Sequence, residues 1–359
     1  SELRGADKKR ESPLDILRSL KLIRKNFGEL HVNFGTPIKL DEWLEQYQGS
    51  HSDDAQLLPR LGNDLMQAIN RQASANPINL VASAILTADK QAMPEQQLLV
   101  QLQHHQQLIR DLGGDEHLTN PSIGPEQLVQ SAENLGWLHR ETQPFGDVLS
   151  LQPVNAVMLT WYRNNIMHLL ALPSLVACLI VNRRRGISLE RLKSGIELIY
   201  PYIAEELSAN HNANTEATLA SMAKLGLVRR EADIILPAAQ HSEQRLPLLQ
   251  ISKLVNETLE RMYIVLSLAH HGQYTRENLC QRSQLAAQQM ARLHGINAPE
   301  FFDQGLFDRF IDALLANQHL RTDDAQLLVT NSTIAETLHN ARTVIDDKIR
   351  FALIPLLHG

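Results

Sequence analysis

Histidine is the side chain whose ordinary pKa places its charge change near neutral pH, and this chain of 359 residues carries 15 of them. His319 and Asp324 are separated by four residues, a spacing at which a carboxylate could orient a histidine that draws a proton from a hydroxyl. Composition alone accounts for one such spacing in a chain this rich in histidine. The pair also falls within NQHLRTDDAQLLVT, whose apolar, charged and apolar order predicts a surface hairpin, so no catalytic role is expected. The doublets His104-His105 and His270-His271 set neighbours about 100° apart on a helix, a poor arrangement for one metal ion without further ligands. They are expected to pack or to face water. There is no Gly-x-Ser-x-Gly elbow, no phosphate loop ending in Lys-Ser or Lys-Thr and no His-Glu-x-x-His helix, so neither a metal nor a cofactor is expected.

A different set of polar groups lies where it must be paired. Asn155 to Val181, NAVMLTWYRNNIMHLLALPSLVACLIV, is the most apolar part of the chain and is apolar on nearly every side at helical period, the pattern of a helix in a large core or in lipid. Its longest run free of charged, amide or imidazole side chains, Leu169 to Val181, is too short to span a bilayer, which takes about 18 apolar residues. Into this surface the sequence places Tyr162, Arg163, Asn164, Asn165 and His168. A guanidinium buried without partners would be very costly. Arg163 is therefore expected to cap carbonyls elsewhere in the core, or to form the wall of a pocket facing a ligand.

The elements that would hold these groups are mostly helical. Hydrophobic residues make up 43% and aromatics only 5%, which favours helix over sheet. Ser12-Pro13 starts a helix whose apolar stripe ends at Gly28, and Leu30, Val32 and Phe34 then alternate with polar residues as in a strand. From Asp41 onward helices dominate, interrupted by LGWLHRETQPFGDVLSLQP at 135–153, LGLVRREADIILP at 225–237 and NQHLRTDDAQLLVT at 317–330. Each predicts a hairpin after a helix, about 90 residues from the next. Cys178 and Cys280 stand far apart, as expected in a reducing compartment. The chain opens on Ser-Glu-Leu-Arg-Gly with no hydrophobic leader and reads as cut from something longer.

Net charge is −6, divided between +4 over residues 1–40 and −10 over the rest. Helices followed by hairpin wings also describe a winged-helix module, but duplex binding rests on many phosphate contacts and the only later basic run is Arg183-Arg184-Arg185. No nucleic-acid partner is expected. That run could instead attract an anionic membrane surface, or cap a helix end in water.

The run LTWYRNNIMHLLALPS, Leu159 to Ser174, resembles the central segment of the bacterial membrane-associated glycerol-3-phosphate acyltransferases. Two further blocks resemble the same family: Glu2 to Gly35, ELRGADKKRES onward to HVNFG, and Leu293 to Phe302, LHGINAPEFF. The resemblance implies an enzyme that moves an acyl group from acyl-CoA or acyl carrier protein to the first hydroxyl of sn-glycerol 3-phosphate, at the cytoplasmic face of the inner membrane. Members carry that chemistry in an α/β domain, on a histidine and an aspartate separated by four residues, followed by arginine-bearing and Glu-Gly-Gly-Arg blocks that hold the phosphate. None of those blocks stands in this sequence. The resemblance thus implies a carboxy-terminal part: residues 1–40 close the α/β domain and 41–359 form a mainly α domain with three helix-plus-hairpin units. No catalytic residue is expected, the chain alone is expected to be inactive, and Arg4, Lys8 and Lys9 are candidates to lend charge to the phosphate or coenzyme A. The alternative is a non-enzymatic helical scaffold or partner-binding module.

Overall fold

The computed structural model describes residues 31–48, 54–113, 122–296 and 298–357. The helix expected over 12–28 lies outside these, as do Arg4, Lys8 and Lys9. The expected strand is absent where it can be checked: residues 31–39 carry no regular structure. A strand is held by the backbone of a neighbour, and none of the described strands pairs there. Val32 and Phe34 are left facing solvent, at 65% and 88% exposure.

Beyond residue 39 the chain is mainly α, with only small antiparallel sheets, as its composition implies. Helices α1 (Leu40–Gln48) and α2 (Asp54–Arg71) lead to α3 (Pro77–Ile85). Asn76 starts α3, its side chain accepting from the N–H groups of Ile78 and Asn79, with Pro77 in the first turn where a missing donor costs nothing.

From α3 one arrangement recurs. The first unit runs α3, β1 (Ala92–Pro94), α4 (Glu95–Leu112), α5 (Pro125–Asn134), β2 (Leu138–Glu141) and β3 (Val148–Leu151), with sheet order β1-β3-β2. After α6 (Pro153–Asn164) the second runs α7 (Met167–Val181), β4 (Ile187–Ser188), α8 (Leu189–Glu206), α9 (Thr215–Lys224), β5 (Val228–Glu231) and β6 (Ile234–Pro237), with order β4-β6-β5. After α10 (Arg245–Ser252) the third runs α11 (Asn256–His271), α12 (Arg276–His294), α13 (Gln304–Ala316), β7 (Leu320–Thr322) and β8 (Leu328–Thr330); α14 (Ser332–Ala341) and α15 (Asp347–Leu357) follow. In the third unit the extra strand is reduced to one bond, from the Leu328 N–H to the Tyr274 carbonyl. The three expected hairpins are present. The strands β1 and β4, two or three residues long, were too short to show a period in the sequence.

The turn into each hairpin repeats to the atom. Trp137 N–H donates to Ala132, Leu227 to Met222 and His319 to Leu314, a bond spanning five residues that closes the preceding helix. The residue before each donor has positive φ: Gly136 at 74°, Gly226 at 71° and Gln318 at 58°. Glycine adopts this conformation without strain, whereas a side chain costs about 1 kcal/mol. Gln318→Gly is therefore expected to stabilise the chain by about 0.5–1 kcal/mol, and Gly136→Ala, whose Cβ would meet nothing within 4 Å, to destabilise it similarly. Urea unfolding curves check both; shifts of the same sign would contradict the shared turn.

The apolar stretch 155–181 is not one helix. It breaks after Asn164-Asn165 into α6 and α7, inclined at 91°. No single described helix is long and apolar enough to cross a membrane. In α7 nearly every side chain is buried, packed against α8, α9, α10 and α4. Pro173 inside it supplies no N–H, and the Ser174 hydroxyl donates to the Ile251 carbonyl, which ties α7 to α10.

Candidate functional site

The break between α6 and α7 is where the polar insertion turns inward, onto the wall of a cleft of about 1020 Å³. Arg163, in the last turn of α6, has a side chain only 9% exposed. Its Nη2 donates to Glu257 Oε2 at 2.9 Å and to Glu300 Oε1 at 2.6 Å, and its Nε to Asn164 Oδ1. Asn164 Nδ2 adds a bond to the same Glu300 oxygen. The partners are thus carboxylates, not the core carbonyls expected from sequence. A guanidinium taken out of water needs full opposite charge at short range. Burial disfavours the Arg163 charge, yet the two carboxylates outweigh it and hold the pKa above the ordinary arginine value.

The other cleft walls are tied across long sequence separations. Asn79 Nδ2 donates to the Tyr162 carbonyl, and Asn70 Nδ2 to the carbonyls of Leu207 and Ser208. His168 Nε2 lies 3.0 Å from the Asn70 carbonyl, so that nitrogen carries the proton. Arg261, 4% exposed, donates to Glu206 and to the Thr258 hydroxyl, which also donates to Glu206. The rim is apolar: Leu65, Met66 and Ile69 of α2 line the cleft at 44%, 47% and 62% exposure, together with Val32 and Ile38.

Two arginines face three carboxylates here, so the cleft offers no surplus positive charge to a phosphate. The network binds elements together and leaves the apolar rim open. Glu260, next to it on α11, is 8% exposed, and burial, reinforced by Glu257 and Asp346, raises its carboxyl to about 8. Burial lowers His168 to about 4, which makes it a weak base at neutral pH.

That depression has a measurable consequence. The unfolded imidazole takes up a proton below about 6.5 while the folded one does not, so this contribution is fully present above pH 6.5 and lost as pH falls towards 4. The wild type should lose about 2 kcal/mol between pH 7 and 5 relative to His168→Gln. Paired melting curves over that range test it, and a constant gap between the two proteins would contradict it.

The remaining histidines singled out in the sequence are held elsewhere. His105 is fully buried between Ser83 Oγ and Gln101 Nε2, each at 2.8 Å, and burial, then the neighbouring His104, lowers it to about 3. His319 Nδ1 lies 2.5 Å from the Tyr202 hydroxyl, whereas Asp324 is exposed in the β7–β8 turn. No group of three His, Cys, Asp or Glu side chains with metal-binding geometry occurs among the described residues. Glu257, Glu206 and Arg261 carried no local signal, because their role depends on packing against distant elements. Glu300 did carry one: it lies in LHGINAPEFF, and Arg163 in LTWYRNNIMHLLALPS, so two separated blocks of resemblance meet in one ion pair.

Comparison with known proteins follows the same lines. Residues 1–323 match the family described as glycerol-3-phosphate acyltransferase C-terminal region. Similar curated proteins, each named glycerol-3-phosphate acyltransferase, include those of Pseudomonas aeruginosa, 34% identical over 372 residues covering 98% of this chain and 44% of the relative. That of Ectopseudomonas mendocina is 34% identical over 98% of this chain and 45% of its own length. The chain thus spans less than half the length of the relatives it matches. Nearly the whole sequence aligns with these relatives, and the chain belongs to the glycerol-3-phosphate acyltransferase C-terminal region family.

Proposed function

We propose that this chain is the supporting carboxy-terminal body of a glycerol-3-phosphate acyltransferase, and that the cleft at the α6–α7 break seats the catalytic half. The whole enzyme would transfer an acyl group from acyl-CoA or acyl carrier protein to the sn-1 hydroxyl, giving lysophosphatidate for phospholipid synthesis. It would work peripherally at the cytoplasmic face of the inner membrane. One observation carries the reading: 98% of the chain aligns with less than half of enzymes bearing that name.

The cleft supports it. His31, Val32, Asn33 and residues 35–38 line its rim, beside an apolar stripe of α2 that nothing among the described residues covers. Three of the histidines, His105, His168 and His319, are each engaged by another group. A histidine and aspartate in the preceding α/β domain would deprotonate the glycerol hydroxyl so that its oxygen attacks the thioester carbonyl, releasing the thiol. Arg4, Lys8 and Lys9 would lend charge to the phosphate or coenzyme A.

Nucleic-acid binding is disfavoured by the helices that would enter a groove. Among α5, α9 and α13, α5 has no lysine or arginine, and the others have only Lys224 and Arg309.

Conversion of labelled glycerol 3-phosphate to lipid by the full-length protein tests the reading. Acyl transfer is expected, with the Michaelis constant for glycerol 3-phosphate raised by Arg4→Ala; a full-length protein with no transfer from either donor would overturn it.

A further inference from the structure

One group of cations draws together residues from three elements. At the end of α7, Arg183 Nε donates to the Leu179 carbonyl, and Arg184 and Arg185 stand exposed. Arg245, opening α10, donates to the Val181 carbonyl at 2.5 Å and is close enough to Arg184 for the two charges to repel. Asn182 Nδ2 donates to the Thr343 carbonyl at 3.1 Å, which brings the α14–α15 connection to the same place. Arg350 of α15 reaches back to the Arg342 carbonyl and pairs with Asp347 at 2.7 Å. Segments 181–186, 243–248 and 340–354 together carry +4 in a chain of net −6.

Helix α15 sets apolar groups into this basic surround. Ile349 and Leu353 are buried against the body, while Phe351 and Ile354 are 63% and 48% exposed on the opposite side. At 100° per residue these two point outward together with Asp347 between them, its charge paired with Arg350 on one flank, and with Lys348 on the other. Leu246 of α10, beside Arg245, is also exposed, at 38%. A soluble acidic partner would satisfy the cations but gives no reason to expose a phenylalanine and an isoleucine side by side. An anionic bilayer satisfies both, since its headgroups attract basic side chains and its interface accepts apolar ones.

We infer that the face formed by the end of α7, the start of α10 and the outer side of α15 rests on an anionic lipid bilayer, with Phe351 and Ile354 entering the headgroup layer. The inference rests on the peripheral attachment proposed above and gives it a place in the fold. The contact is electrostatic first, so it weakens with ionic strength.

Flotation of the chain with phosphatidylcholine vesicles, alone or mixed with phosphatidylglycerol, tests it. The wild type is expected to float with the mixed vesicles, to stay behind with phosphatidylcholine alone, and to be released by salt. Arg184→Glu with Arg185→Glu, and separately Phe351→Ser with Ile354→Ser, should each cut the bound fraction at least tenfold. All four side chains are exposed, so melting curves should not change. Leu285→Ser with Leu293→Ser, exposed at 60% and 65% on α12, should float like the wild type. Equal flotation on both vesicle types, or no loss in the α15 variant, would overturn the inference, as would capture by an acidic soluble protein without vesicle binding. Acyl transfer by the full-length enzyme in detergent reads the enzymatic proposal separately: the α15 variant is expected to retain it, and failed flotation leaves that proposal standing.

Discussion

Arg163→Ala is expected to destabilise the chain by about 3 kcal/mol, because it leaves Glu257 and Glu300 facing each other without a cation. Removing one partner from a buried ion pair costs roughly 3–5 kcal/mol. The low end applies here: the two carboxylates keep 26% and 22% exposure, so water recovers part of their solvation. Arg163→Lys should recover less than half of the loss, since one ammonium cannot reproduce the two carboxylate contacts together with the Nε bond to Asn164. Arg163→Met combined with Glu257→Gln and Glu300→Gln should come closer to wild type than Arg163→Ala alone, because no unpaired charge remains. Urea denaturation measures all three. A loss below about 1 kcal/mol for Arg163→Ala would mean that the pair does not brace the α6–α7 break against α11 and the Pro299–Phe302 turn.

Glu260→Gln is expected to stabilise the chain, by an amount that grows with pH. Burial first, and then the charges of Glu257 and Asp346, raise this carboxyl to about 8, against an ordinary value of 4.5. Between those values the folded state holds a proton that the unfolded state has lost. The sign follows directly: the contribution of Glu260 is fully present below about pH 4.5, declines as pH rises and reaches its floor above about 8. Glutamine carries no charge at any pH and escapes the decline. The variant should therefore match the wild type near pH 4 and exceed it by on the order of 4 kcal/mol at pH 8. Melting temperatures of the two proteins across that range decide it, and a gap that shrinks towards pH 8 would show that the carboxylate is stabilised in the fold.

The sequence and the structure agree where the signal is local. Helical period and three apolar, charged and apolar runs placed the helices and the hairpins. Gly136 and Gly226 stand at two of the three helix ends with positive φ, and Gln318 shows the same geometry held at a cost. Short strands such as Ile187–Ser188 exist only because a hairpin lies alongside. The predicted strand around Val32 fails for the complementary reason, since alternation describes a half-buried strand only if a neighbour is present.

The site was legible in part. That Arg163, Asn164 and His168 must find partners follows from their placement in an apolar run. Who the partners are does not, because Glu257 and Glu300 lie 94 and 137 residues away. The same holds for Arg261 with Glu206, two residues that the sequence leaves among ordinary surface charges. Asn164-Asn165 explains the misjudged helix: amides are weak helix formers, and the chain turns by 91° there, bringing Arg163 to the cleft instead of the core.

The central claim is that this chain braces an acyltransferase without performing the chemistry. The most direct test compares the isolated 359-residue chain with the full-length protein, using glycerol 3-phosphate and an acyl thioester and following release of the thiol. The account predicts turnover by the full-length protein and none by the folded chain. Turnover by the isolated chain, freed of contaminating enzyme, would contradict it.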